Sequence, residues 1–178
     1  MGADTIIRWC YNGNFFQFSE SAILIDSQEN VYFGSLDGYF YAFRKDGSIK
    51  WRFKMSGGAF SYLCNIGLDS TLYFTSRWPD NNLYAVKADG TLRWKINTED
   101  GFQQQHPVLA PDGKTVYICG VDSILYALNS DGTIKWKFSC GPTVPIPMVD
   151  SQGNIYIIPT QNKRNAFGYM ERNEHTRK

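Results

Sequence analysis

Residues 41–53 read YAFRKDGSIKWRF, residues 84–96 read YAVKADGTLRWKI, and residues 126–138 read YALNSDGTIKWKF. A Tyr-Ala pair, an Asp-Gly pair and a tryptophan keep one spacing through all three copies, so the chain is built from a repeat. Outward from these segments, tryptophans stand at Trp9, Trp51, Trp94 and Trp136, at intervals of 42, 43 and 42 residues. A fixed period in this range marks an array of one supersecondary unit. Upstream in each unit lies a short apolar run centred on a tyrosine: Tyr32, Tyr73, Tyr117 and Tyr156.

Each unit reads as four short strands. Strand A is expected at 22–25, 62–66, 107–110 and 144–149, and strand B at VYFGS, LYFTS, VYICG and IYIIP. Strand C carries the Tyr-Ala pair and strand D the tryptophan. The Asp-Gly between C and D is a hairpin signal, because glycine takes positive φ without steric cost. With a two-residue loop, Ala42 faces Trp51, Ala85 faces Trp94 and Ala127 faces Trp136, each small residue leaving room for an indole. A glycine bulge in the turn would shift that register by one. Four-stranded units at this period, with no helical periodicity between them, predict an all-β fold: a β-propeller of about four blades. The tryptophans are expected to dock one blade on the next, since each indole buries about 150–250 Å².

Composition agrees. The 178 residues suffice for one domain with a core. Aromatics make up 16% and charged residues only 20%, which suits strands and argues against a coiled coil or a disordered chain. A net charge of +1 gives no long-range field to attract nucleic acid or an anionic membrane, and no apolar run is long enough to span a bilayer. The N-terminus shows no basic region followed by an apolar stretch, so no signal peptide is visible and the compartment stays open. Cys10, Cys64, Cys119 and Cys140 lack the close pairing of a zinc or redox motif. They read as small buried hydrophobes, with a disulfide such as Cys10–Cys140 as the alternative. The blades are expected over residues 1–160. Residues 161–178 depart from the repeat as a divergent polar tail, although Ala166–Met170 would serve as a further strand C. At the other end, Thr5–Trp9 is a lone strand D.

The three quoted segments resemble PQQ-like (quinoprotein-type) repeats, which occur in bacterial outer-membrane barrel-assembly lipoproteins and in many other bacterial propellers. The resemblance covers about residues 5–160 and implies blades of a seven- or eight-bladed ring. For a chain of this length it leaves three arrangements open. The leading strand D closes a ring of four blades, two chains join head to tail as a homodimer with eight, or the chain is part of a longer propeller. The resemblance also raises quinone-dependent dehydrogenases, which carry adjacent cysteines and have ten residues from the docking alanine to the tryptophan. Here no cysteines are adjacent and the spacing is nine in all three copies. No phosphate-binding, metalloprotease or serine-hydrolase motif occurs. The expectation is therefore a non-enzymatic binding or assembly scaffold for a protein segment or small ligand, with no cofactor. A degenerate sensor or redox module that binds a quinone is the alternative.

In such a ring the B–C and D–A loops share the face where ligands bind. Asp37, Asp80 and Asp122 recur there, and a ring of carboxylates would hold a cation or a basic peptide. Aspartate also caps its own turn, so both readings stand. Arg77 and Trp78 break the repeat within the second B–C loop, and an off-pattern Trp beside Arg points to a binding surface or to a loop plug. Gln104 and His106 lie in the irregular Glu99–His106 loop, where His106 reads as an acid–base group or a structural one. The basic residues beside the tryptophans (Arg8, Lys50, Arg52, Arg93, Lys95, Lys135, Lys137) read as edge-strand protection rather than a nucleic-acid surface.

Overall fold

The computed structural model describes residues 23–56, 64–76, 78–98, 100–102, 105–140, 146–157 and 168–170. Among them run fifteen strands and no helix, in four antiparallel sheets ordered as the chain runs. Blade 1 holds β1 (Leu24–Ile25), β2 (Val31–Gly34), β3 (Tyr39–Phe43) and β4 (Ile49–Lys54). Blade 2 holds β5 (Cys64–Ile66), β6 (Leu72–Thr75), β7 (Leu83–Val86) and β8 (Leu92–Ile96). Blade 3 holds β9 (Val108–Leu109), β10 (Thr115–Cys119), β11 (Ile124–Asn129) and β12 (Ile134–Ser139). Blade 4 has three strands, β13 (Met148–Val149), β14 (Ile155–Ile157) and β15 (Gly168–Met170), the last within the stretch expected to supply a strand C. Trp9 lies outside the described residues, as does Cys10.

The central strands are buried on both faces. Every residue of β6, β7 and β10 is buried, with no polar–apolar alternation along them. The reason is that the sheets of blades 2 and 3 are each sandwiched between two neighbours. One apolar cluster joins Tyr32, Phe40 and Ala42 of blade 1 to Leu72, Phe74 and Tyr84 of blade 2. The next joins Tyr73 and Ala85 to Val116, Ile118 and Leu128 of blade 3, and a third joins Tyr117, Cys119 and Ala127 to Ile155 and Ile157 of blade 4. Between blades 1 and 2 the Phe40 and Phe74 rings stack at 4.0 Å, almost parallel. The outermost β4, β8 and β12 are exposed to half-exposed throughout.

The C–D hairpins pair Ala42 with Trp51, Ala85 with Trp94 and Ala127 with Trp136. They reach this register by a different route from a two-residue loop. The Arg44 and Ser48 backbones bond across the turn with Gly47 at φ +84°, a glycine-bulged loop that shifts the register by one. A second bulge, between Ala42 and Phe43, then leaves Lys50 without a strand partner and restores it. Blades 2 and 3 repeat both irregularities, so Arg93 and Lys135 are bulged residues too. The basic residue after each tryptophan instead lies over a tyrosine ring of strand C: Arg52 over Tyr39, Lys95 over Tyr84 and Lys137 over Tyr126.

Each docked indole then crosses to the next blade. Trp51 Nε1 donates to Ala88 O at 2.9 Å and Trp94 Nε1 to Ser130 O at 2.9 Å. Their ring faces lie on Gly90 and Gly132, where a Cβ would stand 2.7 Å from the indole. Only glycine permits that approach, and both glycines also sit at positive φ, +86° and +87°.

The A–B turns of blades 1 and 4 share one device. Asp26 Oδ1 accepts the Gln28 and Asn30 amides, and its Oδ2 accepts Asn30 Nδ2 and the Tyr32 hydroxyl. Asp150 makes the matching set with Gln152, Asn154 and Tyr156.

Candidate functional site

The B–C loops follow a local logic that the three blades repeat. Asp37 Oδ1 accepts the Tyr39 amide at 3.1 Å and Asp37 Oδ2 the Tyr41 hydroxyl at 2.6 Å. Asp122 accepts the Ile124 amide and the Tyr126 hydroxyl in the same way. Asp80 accepts Asn82 Nδ2 and, at 2.6 Å, the Tyr84 hydroxyl. A tyrosine four residues after each aspartate thus returns along strand C to satisfy the carboxylate. Burial, and the carboxylate it donates to, push the Tyr84 and Tyr126 phenols above their ordinary value. The three aspartates hold their own loops and do not gather: among the described residues no three His, Cys, Asp or Glu side chains come within reach of one metal ion. Exposure runs from open at Asp37 to 8% at Asp80. The i to i+4 tyrosine was the sequence signal for this arrangement.

The Asp80 loop is the most heavily braced. Tyr84 donates to Asp80, and its hydroxyl accepts the Ser56 amide at 3.2 Å from the end of blade 1. Lys95 Nζ donates to Ser56 Oγ at 2.9 Å. On the other side, the loop after blade 2 inserts Phe102, which is wholly buried and meets the Tyr126 ring edge-on at 5.5 Å. The Phe102 amide donates to Asn81 O at 2.9 Å and the Val121 amide to Gly101 O at 3.1 Å, so this plug fastens the B–C loops of blades 2 and 3. Thr75 adds a bond to Gln105 O at 2.9 Å. Phe102 was visible in the sequence as the one apolar residue of a polar stretch, yet its role is set by residues some twenty positions away on either side.

Trp78 stands out of this braced frame. It is 71% exposed, although Asp80 two residues on is buried. His106, on the adjoining loop, is half-buried, and burial holds its imidazole below its ordinary value. Of the other candidates, Arg77 and Gln104 lie outside the described residues. The structure therefore brings Trp78, Asp80 and the His106 loop to one face of blades 2 and 3, with Asp122 at the place equivalent to Asp80 on blade 3 and Asp37 on blade 1.

Cysteine chemistry is muted. Cys64, Cys119 and Cys140 are thiols. Burial pushes Cys64 up to about 12 and raises Cys119 and Cys140, which touch each other through their side chains. No helix among the described residues is long and apolar enough to cross a membrane.

Comparison with known proteins bears on this geometry. The family of the outer membrane protein assembly factor BamB matches residues 36–164. No curated protein matches the sequence. Among solved structures, BamB from Moraxella catarrhalis superposes with a TM-score of 0.64 at 21% identity, over 79% of this chain and 43% of that one. Virginiamycin B lyase from Staphylococcus aureus gives a TM-score of 0.68 at 15% identity, over 84% of this chain and 51% of that one. The Cps50 (Swd1) β-propeller domain of Myceliophteria thermophila gives 0.65 at 12% identity, over 79% and 48%. The chain thus spans about half the length of these propellers. These structures share the blade architecture while serving unlike proteins, so the fold alone names no activity. The family match spans most of the sequence and agrees with four blades, the first three docked in succession through tryptophan and glycine, and the chain belongs to the PQQ-repeat propeller family of BamB.

Proposed function

We propose that the chain is a non-enzymatic binding scaffold that engages a protein segment through the loop face of blades 2 and 3. The observation that carries this reading is Trp78, a large aromatic 71% exposed on a loop whose Asp80, Asn81 and Asn82 are held by hydrogen bonds. An exposed indole on a braced loop loses little entropy on binding, and such residues concentrate interface energy. The bonds of Asp80 to Asn82 and Tyr84, and of Asn81 to the Phe102 plug, supply the bracing. Similarity to an assembly factor supports a role in holding other proteins. Against catalysis stands the use of all three loop aspartates as acceptors for tyrosines of their own blades.

The test is selection of peptides from a displayed library on the immobilised chain, followed by titration against Trp78→Ala. Selected peptides are expected to lose at least about tenfold in affinity, since a hot-spot tryptophan contributes about 2 kcal/mol or more. Equal binding to the variant would refute the site. A head-to-tail homodimer is the assembly proposed to widen this face, and light scattering checks it: a mass of twice 20.3 kDa supports it and a monomer excludes it.

A further inference from the structure

Two thiols meet in blade 3 across an intervening strand. Cys119 ends β10 and Cys140 follows β12, so β11 runs between them. Cys119 pairs with Leu125 and Leu125 with Phe138, which sets these three residues in one row across the sheet. Cys140 stands two residues beyond Phe138, on the same face, and its sulfur turns back over that row. Its thiol donates to Phe138 O at 3.8 Å, and its sulfur lies beside the Leu125 amide, where the Cys119 thiol reaches it. Both cysteines pack in the apolar cluster between blades 3 and 4.

The repeat gives the pair its context. Two residues after the strand-B tyrosine stand Gly34, Thr75 and Cys119, and four residues after the hairpin tryptophan stand Met55, Thr98 and Cys140. In blade 2 the two hydroxyls are engaged apart: Thr75 donates to Gln105 O, and Thr98 accepts the Gly101 amide. Blade 3 carries sulfur at both places and brings the two sulfurs into contact.

Spacing decides what such a pair can do. Cys140 still runs alongside the β11 chain, its amide donating to Ser123 O at 2.9 Å. Two strand spacings, about 9–10 Å, therefore separate its backbone from that of Cys119. A disulfide joins α-carbons about 4.4–6.8 Å apart, so this pair closes on itself only if the sheet opens. An ion between the sulfurs needs no such movement. Two metal–thiolate bonds of about 2.3 Å, set in line, span little more than two touching sulfurs. Zinc asks for four ligands, and among the described residues no third His, Cys, Asp or Glu joins these two to complete a metal set. Asp122 is nearby, but its oxygens accept the Ile124 amide and the Tyr126 hydroxyl. Thiolates select soft cations, and a filled-shell monovalent ion is satisfied by two of them.

We propose that Cys119 and Cys140 form a two-thiolate site for a soft monovalent cation of the Cu(I) type, held in line between the sulfurs. Cys140, half-exposed at the edge of the loop face, admits the ion, and the buried Cys119 closes on it. Binding replaces two thiol protons by one cation: both protons leave to solvent, the metal keeps its oxidation state, and a singly negative complex remains. The bound ion ties β10 to the end of β12 and so stabilises blade 3. This site is independent of the Trp78 reading.

The test is anaerobic titration of the reduced full chain with Cu(I) in competition with the coloured chelator bicinchoninate. One Cu(I) per chain is expected to leave the chelator, and the X-ray absorption edge to show two-coordinate copper with two sulfur neighbours. Cys140→Ser is expected to weaken binding at least about a hundredfold, while Cys10→Ser and Cys64→Ala change it less than about twofold. No transfer of copper, or equal retention by Cys140→Ser, overturns the site. Loss of binding on removing Cys10 or Cys64 does the same, as does a third sulfur neighbour in the absorption spectrum. Displacement by equimolar Zn(II) overturns the soft, two-coordinate assignment. Oxidation by diamide and peptide mapping check the spacing separately: a Cys119–Cys140 disulfide in the folded chain would overturn it. The absorption edge of the native chain keeps the test decisive even if Cys140→Ser does not fold.

Discussion

Replacing Gly90 by alanine should destabilise the chain severely although the residue lies in an exposed hairpin. The added Cβ would stand 2.7 Å from Trp51 Cγ and 2.8 Å from Cδ2, and Gly90 holds φ at +86°. Alanine at positive φ costs about 1–2 kcal/mol. Relief of the clash requires the indole to retreat, which breaks its 2.9 Å bond to Ala88 O, a contribution of about 1 kcal/mol. The same retreat disturbs its packing on Tyr32 and Phe40, and overpacking of this kind costs about 1–3 kcal/mol. A loss of about 3–6 kcal/mol follows, a large part of the stability of an ordinary domain. Urea titration measures it, with an unchanged m-value showing that the denatured state is not the cause. Trp51→Phe should cost about 1–2 kcal/mol, and the smaller ring should make room for the methyl group that Gly90→Ala adds. The double variant is therefore expected to be more stable than the sum of the singles predicts by about 1 kcal/mol or more. A Gly90→Ala loss below about 1 kcal/mol, or strict additivity, would refute the docking argument.

Other outcomes can be stated briefly. Trp78→Ala should change stability by less than about 0.5 kcal/mol, because its side chain is exposed; a larger loss in the same titration would make Trp78 structural. Tyr84→Phe removes the bonds to Asp80 and Ser56 and should cost about 1–3 kcal/mol by leaving a buried carboxylate short of a donor. For acid stability, burial raises the Asp26 carboxyl but the bonds from Asn30, Tyr32 and Gln28 outweigh it, and Asp150 is lowered chiefly by Asn154, so both lie below their ordinary 3.8. Their stabilisation is present above 3.8 and fades as pH falls through the lower folded values, so unfolding should steepen there and Asp26→Asn should flatten the slope. Burial lowers His106 below 6.5, so its ring carbon protons should titrate at lower pH than those of a free histidine; a higher midpoint would place a carboxylate beside it.

Within a blade, the sequence was nearly sufficient. Strand order, the Asp-Gly hairpins and the Ala–Trp pairs follow from spacing, because residues paired across a hairpin lie about ten positions apart and the turn chemistry is local. Even there the route was hidden: two bulges cancel, and only the hydrogen bonds show that Lys50, Arg93 and Lys135 are the extra residues. The Asp–Tyr pairs were equally local and could have been read from their spacing of four.

Between blades, spacing was not enough. That Trp51 would find Gly90 and Ala88, and Trp94 would find Gly132 and Ser130, depends on how one twisted sheet faces the next. Phe102 illustrates the same limit, for its burial comes from Asn81, Val121 and Tyr126, which belong to two different blades. The sequence by itself determined the repeat, the strands and the presence of an indole in each of the first three blades, since these rest on neighbours along the chain. The tertiary structure alone decided which carbonyl and glycine each docked indole meets, that Phe102 is buried and that Trp78 is left in solvent. The reason is that burial and hydrogen-bond satisfaction are properties of the packed sheets, set by contacts some 20 to 40 residues apart.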